Sequence, residues 1–160
     1  MIKPGVAPKR GYYLLNADGG VDGQRRAGEP HRIAAIGALL RTRELVTVAQ
    51  LSKTIGTATH NTAEYQALIK GLQLARDHGI SRLRVYLDSE LVVDQVNGAS
   101  AVKQDHLRDL HVVACNLADL FESFRVSWVP RKMNSEADRL VREALDAWNG
   151  RADIPDTPCS

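Results

Sequence analysis

The chain has 160 residues and a mass of 17.6 kDa, the size of one domain. Its composition, 44% apolar and 25% charged, is that of a folded globular protein and excludes wholesale disorder. The longest apolar run, residues 33–40, is far shorter than the ~20 residues of a membrane span, and no signal-peptide stretch opens the sequence. We therefore expect a cytoplasmic protein with no membrane partner. Cys115 and Cys159 form neither a disulfide framework nor a CxxC metal pair.

The net charge of +2 is unevenly distributed along the chain. Residues 1–55 carry nine basic and four acidic side chains, a net +5, whereas residues 56–160 carry twelve and fifteen, a net −3. A basic N-terminal third points to a polyanionic partner, although ordinary solvated charge is the simpler explanation of this number alone.

Three strands are predicted in the first third of the chain. Residues 1–10 hold two prolines and three basic side chains without periodicity, which is typical of a flexible basic arm. Apolar runs separated by turn signals then predict strands over residues 12–18, 33–40 and 45–51. Gly19-Gly20 is expected to stop the first strand, and residues 41–44 form a gap of hairpin length, so the three strands should pair antiparallel.

Helices and strands alternate in the rest of the chain. The predicted elements are a helix from the N-cap cluster 59–62 to Gly79, a strand over 82–88, helices over 89–97 and 104–122, a strand over 124–129 and a final helix marked by apolar residues 137–148. Residues 151–160 contain two prolines and are predicted to be a disordered tail.

The element order β-β-β-α-β-α-α-β-α indicates one α/β domain over residues 11–150. Its first three strands pair antiparallel, while the two later strands follow helical crossovers, which favours parallel pairing. The fold class is thus a mixed five-stranded sheet flanked by helices.

Four carboxylates stand at element ends: Asp18, Glu64, Asp88 and Asp138. Three of them have an ordinary explanation, because acids are favoured in the first turn of a helix. Glu64, for example, lies three residues after Asn61, the spacing of a capping box.

Helical periodicity argues against caps alone. Glu64 continues the apolar stripe of Leu68 and Leu72, Asp138 borders the stripe of the last helix, and Asp18 ends a strand with no helix to cap. Buried acids that converge need a cation, and oxygen-only ligation suits Mg²⁺ or Mn²⁺.

Four acids around two metal ions are the apparatus of in-line phosphoryl transfer, which needs no nucleophilic side chain. The sequence has no GxSxG, GxxxxGKS/T or GxGxxG motif, so neither a nucleophile elbow nor an organic cofactor is expected.

From about Tyr12 to Trp148 the chain resembles a type 1 ribonuclease H, with the ribonuclease H-like fold. The matching motifs, in order, are Ala-Asp18-Gly-Gly, Thr59-His-Asn-Thr-Ala-Glu64-Tyr, Tyr-Leu-Asp88-Ser and Val-Pro-Arg131-Lys-Met-Asn134-Ser-Glu-Ala-Asp138-Arg-Leu. Four such motifs in the same order and structural context are a specific signal.

The resemblance implies a role for each matching residue. Asp18, Glu64, Asp88 and Asp138 would be the catalytic acids that hold two Mg²⁺ ions, with Mn²⁺ as a substitute. Arg131 stands where many members place a histidine; arginine is not a base at neutral pH and would instead contact the phosphate or the leaving product. The implied substrate contacts are Gly19, Gly20, Thr59, His60, Asn61, Ser89 and Asn134.

Two departures from the family pattern stand out. Only residues 98–103 separate two late helices, so the basic handle of many members is absent, as in the archaeal-like subgroup. The loop after Asp18 lacks the usual proline-rich turn. We hypothesise that Arg25, Arg26, Lys9 and Arg10 supply part of the lost phosphate contact.

The implied activity is hydrolysis of the RNA strand of an RNA–DNA hybrid by a monomeric enzyme, leaving 5′-phosphate and 3′-hydroxyl ends. Two alternatives stay open: a non-catalytic nucleic-acid-binding module, and another nuclease of the same fold.

Overall fold

The computed structural model describes residues 11–23, 28 and 32–153, excluding the side chains of 151–153. Its elements are β1 (Tyr13–Val21), β2 (Arg32–Arg41), β3 (Thr47–Ala58), α1 (His60–Asp77), β4 (Arg82–Leu87), α2 (Glu90–Val96), α3 (Asp105–Ala118), β5 (Ser123–Trp128) and α4 (Ser135–Asp153). A 3-10 turn, Arg131–Asn134, precedes α4. The predicted order of elements is confirmed.

The five strands form one mixed sheet in the order β3-β2-β1-β4-β5. β1 pairs antiparallel with β2, and β2 with β3, whereas β1 pairs parallel with β4, and β4 with β5. The main core lies between α1 and one sheet face, and α4 packs across β1, β2 and β3 on the other. The carboxyl ends of β1 and β4, at the centre of the sheet, therefore lie side by side.

The prediction that Gly19-Gly20 stops the first strand is wrong. β1 continues to Val21, and its two glycines pair with Ile36 and Ala35 of β2. Gly19 lies against α1: a Cβ built there would lie 2.2 Å from the Ala63 carbonyl carbon. The missing side chain serves close packing of helix on strand, not a turn.

The predicted bounds of three other elements also differ from the structure. β3 starts at Thr47, two residues late, because Leu45 adopts a left-handed φ of 65° in the hairpin and leaves its side chain 60% exposed. β3 then runs on to Ala58, and α3 ends at Ala118 rather than 122. α4 continues to Asp153, three residues into the predicted tail; residues 1–10 and 154–160 lie outside the described residues.

Helix ends follow the predicted signals more closely. Thr59 is the N-cap of α1, and Gly79 and Gly98 follow α1 and α2 with φ of 73° and 77°. Such positive φ values favour glycine. In the described part of the chain, no helix is both long and apolar enough to cross a membrane.

Candidate active site

The four predicted acids reach one cleft from four different elements. Asp18 lies on β1, Asp88 follows β4, Glu64 is in the second turn of α1, and Asp138 is in the first turn of α4. Because β1 and β4 are parallel neighbours, their carboxyl ends bring Asp18 and Asp88 together at the centre of the sheet. The cleft has a volume of about 440 Å³.

Three of the acids form a tight cluster. Carboxylate oxygens of Asp18, Glu64 and Asp88 all lie within 4.8 Å of one another. Glu64 is only 1% exposed and Asp18 only 6%. Within the described residues, the buried Oε2 of Glu64 has no hydrogen-bond partner. An all-oxygen set with an unsatisfied carboxylate oxygen fits a hard divalent cation such as Mg²⁺ or Mn²⁺.

The electrostatics of the metal-free cluster are unfavourable for charge. Burial, reinforced by the Glu64 and Asp88 carboxylates, raises the pKa of Asp18 to about 9. Burial also raises the pKa of Glu64, and the hydrogen bond from His60 partly opposes this change. Carboxyl groups that resist ionisation when alone, but converge on one point, need a cation to ionise together.

His60 lies at the mouth of the cleft beside the cluster. Its Nε2 is 3.3 Å from Oε1 of Glu64, and this hydrogen bond raises the pKa of His60. The imidazole is largely exposed, so the predicted substrate contact has an accessible group to make it.

Asp138 lines the same cleft but lies outside the three-acid cluster. Its Oδ1 is 3.6 Å from Arg131, and its Oδ2 is 2.5 Å from Arg142. The predicted metal role of Asp138 thus stays a prediction, since two guanidinium groups neutralise its charge here. Sequence reasoning missed Arg142, although its spacing of four residues from Asp138 on α4 was a usable signal.

Asn134, a predicted substrate contact, is buried in this structure, with 1% of its surface exposed. Its Nδ2 donates to the Ala17 carbonyl at 2.9 Å and lies 3.4 Å from Oδ2 of Asp88. Its Oδ1 accepts from Asn16, whose own Oδ1 accepts from Arg41. These linked hydrogen bonds, which the sequence did not reveal, hold the Asp88 carboxylate in position.

Trp128 holds the backbone beside the same acid. Its indole Nε1 donates to the Asp88 carbonyl oxygen at 3.2 Å, from the end of the neighbouring strand β5. Asp88 is therefore positioned through both its side chain and its main chain.

The other predicted substrate residues surround the cleft with mixed roles. Thr59 and Ser89 cap α1 and α2, accepting from the backbone N–H of Thr62 and Val92. Asn61 is half-buried in the first turn of α1. Gly19 and Gly20 both line the cleft. Gly19 is also packed against α1, and this close packing explains why it has no side chain.

Comparison with known proteins identifies the family. The family profile described as "Reverse transcriptase-like" matches residues 18–144. The crystal structure of RNase H1 from the archaeon Halobacterium salinarum aligns with a TM-score of 0.79 at 36% identity, covering 86% of this chain and 99% of that one. The chain belongs to the type 1 ribonuclease H family.

Two further ribonuclease H structures align closely. The N-terminal RNase H domain of a Mycobacterium tuberculosis protein has a TM-score of 0.80 at 38% identity, covering 88% of this chain and 98% of that chain. LC11-RNase H1, solved in complex with an RNA/DNA hybrid, has a TM-score of 0.76 at 29% identity, covering 84% of this chain and 97% of its own.

The full mycobacterial relative is much longer than this chain. That bifunctional protein is 42% identical over 135 residues, which is 84% of this chain but 35% of the relative. The comparison therefore concerns the ribonuclease H part of that protein alone.

Proposed function

We propose that this protein is a metal-dependent endonuclease that hydrolyses the RNA strand of RNA–DNA hybrids, leaving 5′-phosphate and 3′-hydroxyl ends. The observation that carries the proposal is the convergence of Asp18, Glu64 and Asp88 in one cleft of a ribonuclease H fold. The hybrid bound by the related LC11 enzyme supports the choice of substrate.

The acids would hold the metal and fix the reacting groups around it. The chemistry supplied by two bound divalent cations would be activation of the attacking water and stabilisation of the leaving 3′ oxygen. Asp18, Glu64 and Asp88 offer three oxygen ligands at one point, and Asp138 faces the same cleft from α4. Asn134 and Trp128 keep the Asp88 ligand in place.

Cationic side chains at the rim would receive the phosphate backbone. Arg131 and Arg142 are both largely exposed, and each forms an ion pair with Asp138 at the cleft. A planar guanidinium binds phosphate oxygens in pairs and stays charged at neutral pH. We assign Arg131 to the scissile phosphate or the leaving product, not to proton transfer.

Recognition of RNA would come from the first turn of α1. His60 lines the cleft and Asn61 follows it in the first turn of α1, and both would contact 2′-hydroxyls in the wide minor groove of an A-form-like hybrid. Such contacts carry no base information, so sequence specificity should be low.

Substrate binding should be weak, because no basic handle is present between α2 and α3. In the structure α2 and α3 are joined by the short segment 97–104, in which Lys103 is the single cation. Arg25, Arg26, Lys9 and Arg10 lie outside the described residues, so their proposed contribution remains a hypothesis. We further propose that the enzyme acts as a monomer in the cytoplasm.

The test uses a labelled 20-mer RNA–DNA hybrid with Mg²⁺, compared with duplex DNA, duplex RNA and single-stranded RNA. We expect cutting of the hybrid alone, lost in Asp88→Asn. Binding without cutting by the wild type would instead identify a non-catalytic module, and cutting of duplex DNA would identify another nuclease of the fold.

A further inference from the structure

Among the described residues, helix α4 covers only part of the width of one sheet face. α4 packs across β1, β2 and β3, on the side of the sheet opposite α1. Along β4 and β5, Leu83, Val85 and Val126 point into the main core, so the residues between them point to the α4 side. Arg84 pairs with Arg125 across the two strands, so both side chains leave the sheet on this same face.

Tyr12 organises two guanidinium groups on the same side. The Cζ of Arg43, from the β2–β3 hairpin, lies 4.9 Å from the Tyr12 ring centroid, and the Cζ of Arg84 lies 5.0 Å from it. Cation–π contacts of this kind hold arginine side chains in place without neutralising them. Arg82 lies two residues before Arg84 and is exposed on the same face. We call Arg43, Arg82, Arg84 and Arg125 the arginine face.

The charge of the arginine face is uncompensated within the described residues. No described carboxylate forms an ion pair with any of its four arginines, whereas Arg108, Arg139 and Arg142 on the helices are each paired. Concentrated positive charge on a flat surface complements a polyanion, and guanidinium groups match the geometry of phosphate oxygens.

The arginine face is connected to the catalytic cleft through β4. Asp88 follows this strand, and Tyr86, Arg84 and Arg82 precede it at two-residue intervals on one face. At ~3.3 Å per residue, Arg84 lies roughly 13 Å and Arg82 roughly 20 Å from Asp88 along the strand. The arginines therefore form a row that leads away from the cluster of acids.

We propose that the arginine face binds a single-stranded nucleic-acid segment that extends from the hybrid held in the cleft. Half-buried Tyr86 lies between Asp88 and the arginines, and an aromatic ring beside cationic groups on an open sheet suits a single strand, whose bases are free to stack. The origin of the segment rests on the proposed function, but the affinity of the face for a single strand does not.

The experiment compares two charge-matched double variants of the full chain. Arg84→Gln/Arg125→Gln changes the arginine face, and Arg76→Gln/Arg108→Gln removes the same charge from α1 and α3. Fluorescence anisotropy in EDTA measures binding to a blunt hybrid, the same hybrid with a single-stranded extension, and the free single strand.

We expect the wild type to bind the extended hybrid about 10-fold more tightly than the blunt one. The arginine-face variant should lose that preference while binding the blunt hybrid as the wild type does. For two lost phosphate contacts, the slope of log K against log salt on the extended hybrid should fall by about 1.4. The control variant should keep the preference.

Equal loss on blunt and extended hybrids, an equal loss in the control variant, or no wild-type preference would each overturn the proposal. Should thermal unfolding show that removal of Arg84 from Tyr12 disturbs the fold, Arg82→Gln/Arg125→Gln tests the same face with two exposed side chains. Cleavage of the blunt hybrid with Mg²⁺ is measured separately. A protein that binds extensions without cutting hybrids would refute the proposed function alone.

Discussion

Asn134 and Asp88 are linked beneath the cluster of acids: the Asn134 amide nitrogen lies 3.4 Å from a carboxylate oxygen of Asp88 while donating to the Ala17 carbonyl at 2.9 Å. The 3-10 turn before α4 is thereby joined to the ends of β1 and β4. The orientation of a proposed metal ligand therefore depends on a buried residue outside the cluster of acids.

Asn134→Ala should weaken metal binding about 10- to 100-fold, as is usual when a group supporting a ligand is removed. It should also cost about 1–3 kcal/mol of stability, because the buried Asn16 amide loses its acceptor. Calorimetric Mn²⁺ titration and urea unfolding measure the two effects. Activity should recover at high metal concentration, which loss of a substrate contact would not allow. Asn116→Ala, on the exposed side of α3, is the control.

The stability of the metal-free protein should fall as pH rises. The pKa of Asp18 is about 9 in the folded state against 3.8 for an ordinary carboxyl, so the folded state binds more protons between these values. Stability then decreases through this window by up to ~1.4 kcal/mol per pH unit for one such group. Glu64 and His60, whose pKa values are also raised, act in the same direction.

Urea unfolding in EDTA at several pH values measures this dependence, and added Mg²⁺ should reduce it by favouring the ionised acids. Asp18→Asn should be more stable than the wild type at pH 8 without metal and should show a flatter pH profile. Metal-free stability that increased with pH would contradict the raised pKa of Asp18.

The acids should differ in their importance. Asp88→Asn removes a member of the tight cluster and should lower kcat about 10³-fold, the equivalent of several kcal/mol of transition-state stabilisation. Asp138→Asn should cost only about 10-fold, with partial recovery at high Mg²⁺, because Asp138 lies outside the cluster and is paired with Arg131 and Arg142. Single-turnover cleavage against Mg²⁺ concentration separates the two. Equal losses would place Asp138 among the inner ligands.

Two adjacent glycines should differ in how much stability an alanine costs. Gly19→Ala places a Cβ 2.2 Å from the Ala63 backbone and should cost at least about 3 kcal/mol, because α1 must move. Gly20→Ala meets only the Cγ1 of Val141 at 3.0 Å and should cost less than about 1 kcal/mol. Thermal unfolding measures both. A tolerated Gly19→Ala would mean that the helix does not approach β1 this closely.

The order of elements could be predicted from sequence because apolar periodicity is a local signal. The convergence of three acids could also be predicted, because each acid lies near the end of a predicted strand or helix. The bounds of β3 could not be predicted, because none of its residues is fully buried and its pattern of exposure gives no clear apolar face. In addition, the hairpin before β3 exposes the apolar residues Leu45 and Val46 to solvent. The sequence predicts a strand end at Gly19 because glycine has the same local signature at the end of a strand and in a close contact.

The support beneath Asp88 was also beyond sequence reasoning. Asn16, Asn134 and Arg41 meet only when three distant segments pack together, and no spacing in the chain connects them. The pairing of Asp138 with Arg142 had a local signal of four residues, whereas its pairing with Arg131 depends on the conformation of the 3-10 turn.

Gly19, the chain neighbour of Asp18, and Gly37, its neighbour across the sheet, have a consequence for protein engineering. Gly19 lies against α1, and Gly37, the register partner of Asp18, lies against α4, where a Cβ would be 2.5 Å from the Ala137 carbonyl oxygen. On each face of the sheet, a helix thus packs directly against the backbone of a glycine that neighbours Asp18. A designer who grafts the acids onto another mixed sheet must carry over these two residues without side chains. Otherwise the helices stand farther from the sheet and the carboxylates no longer converge on one ion.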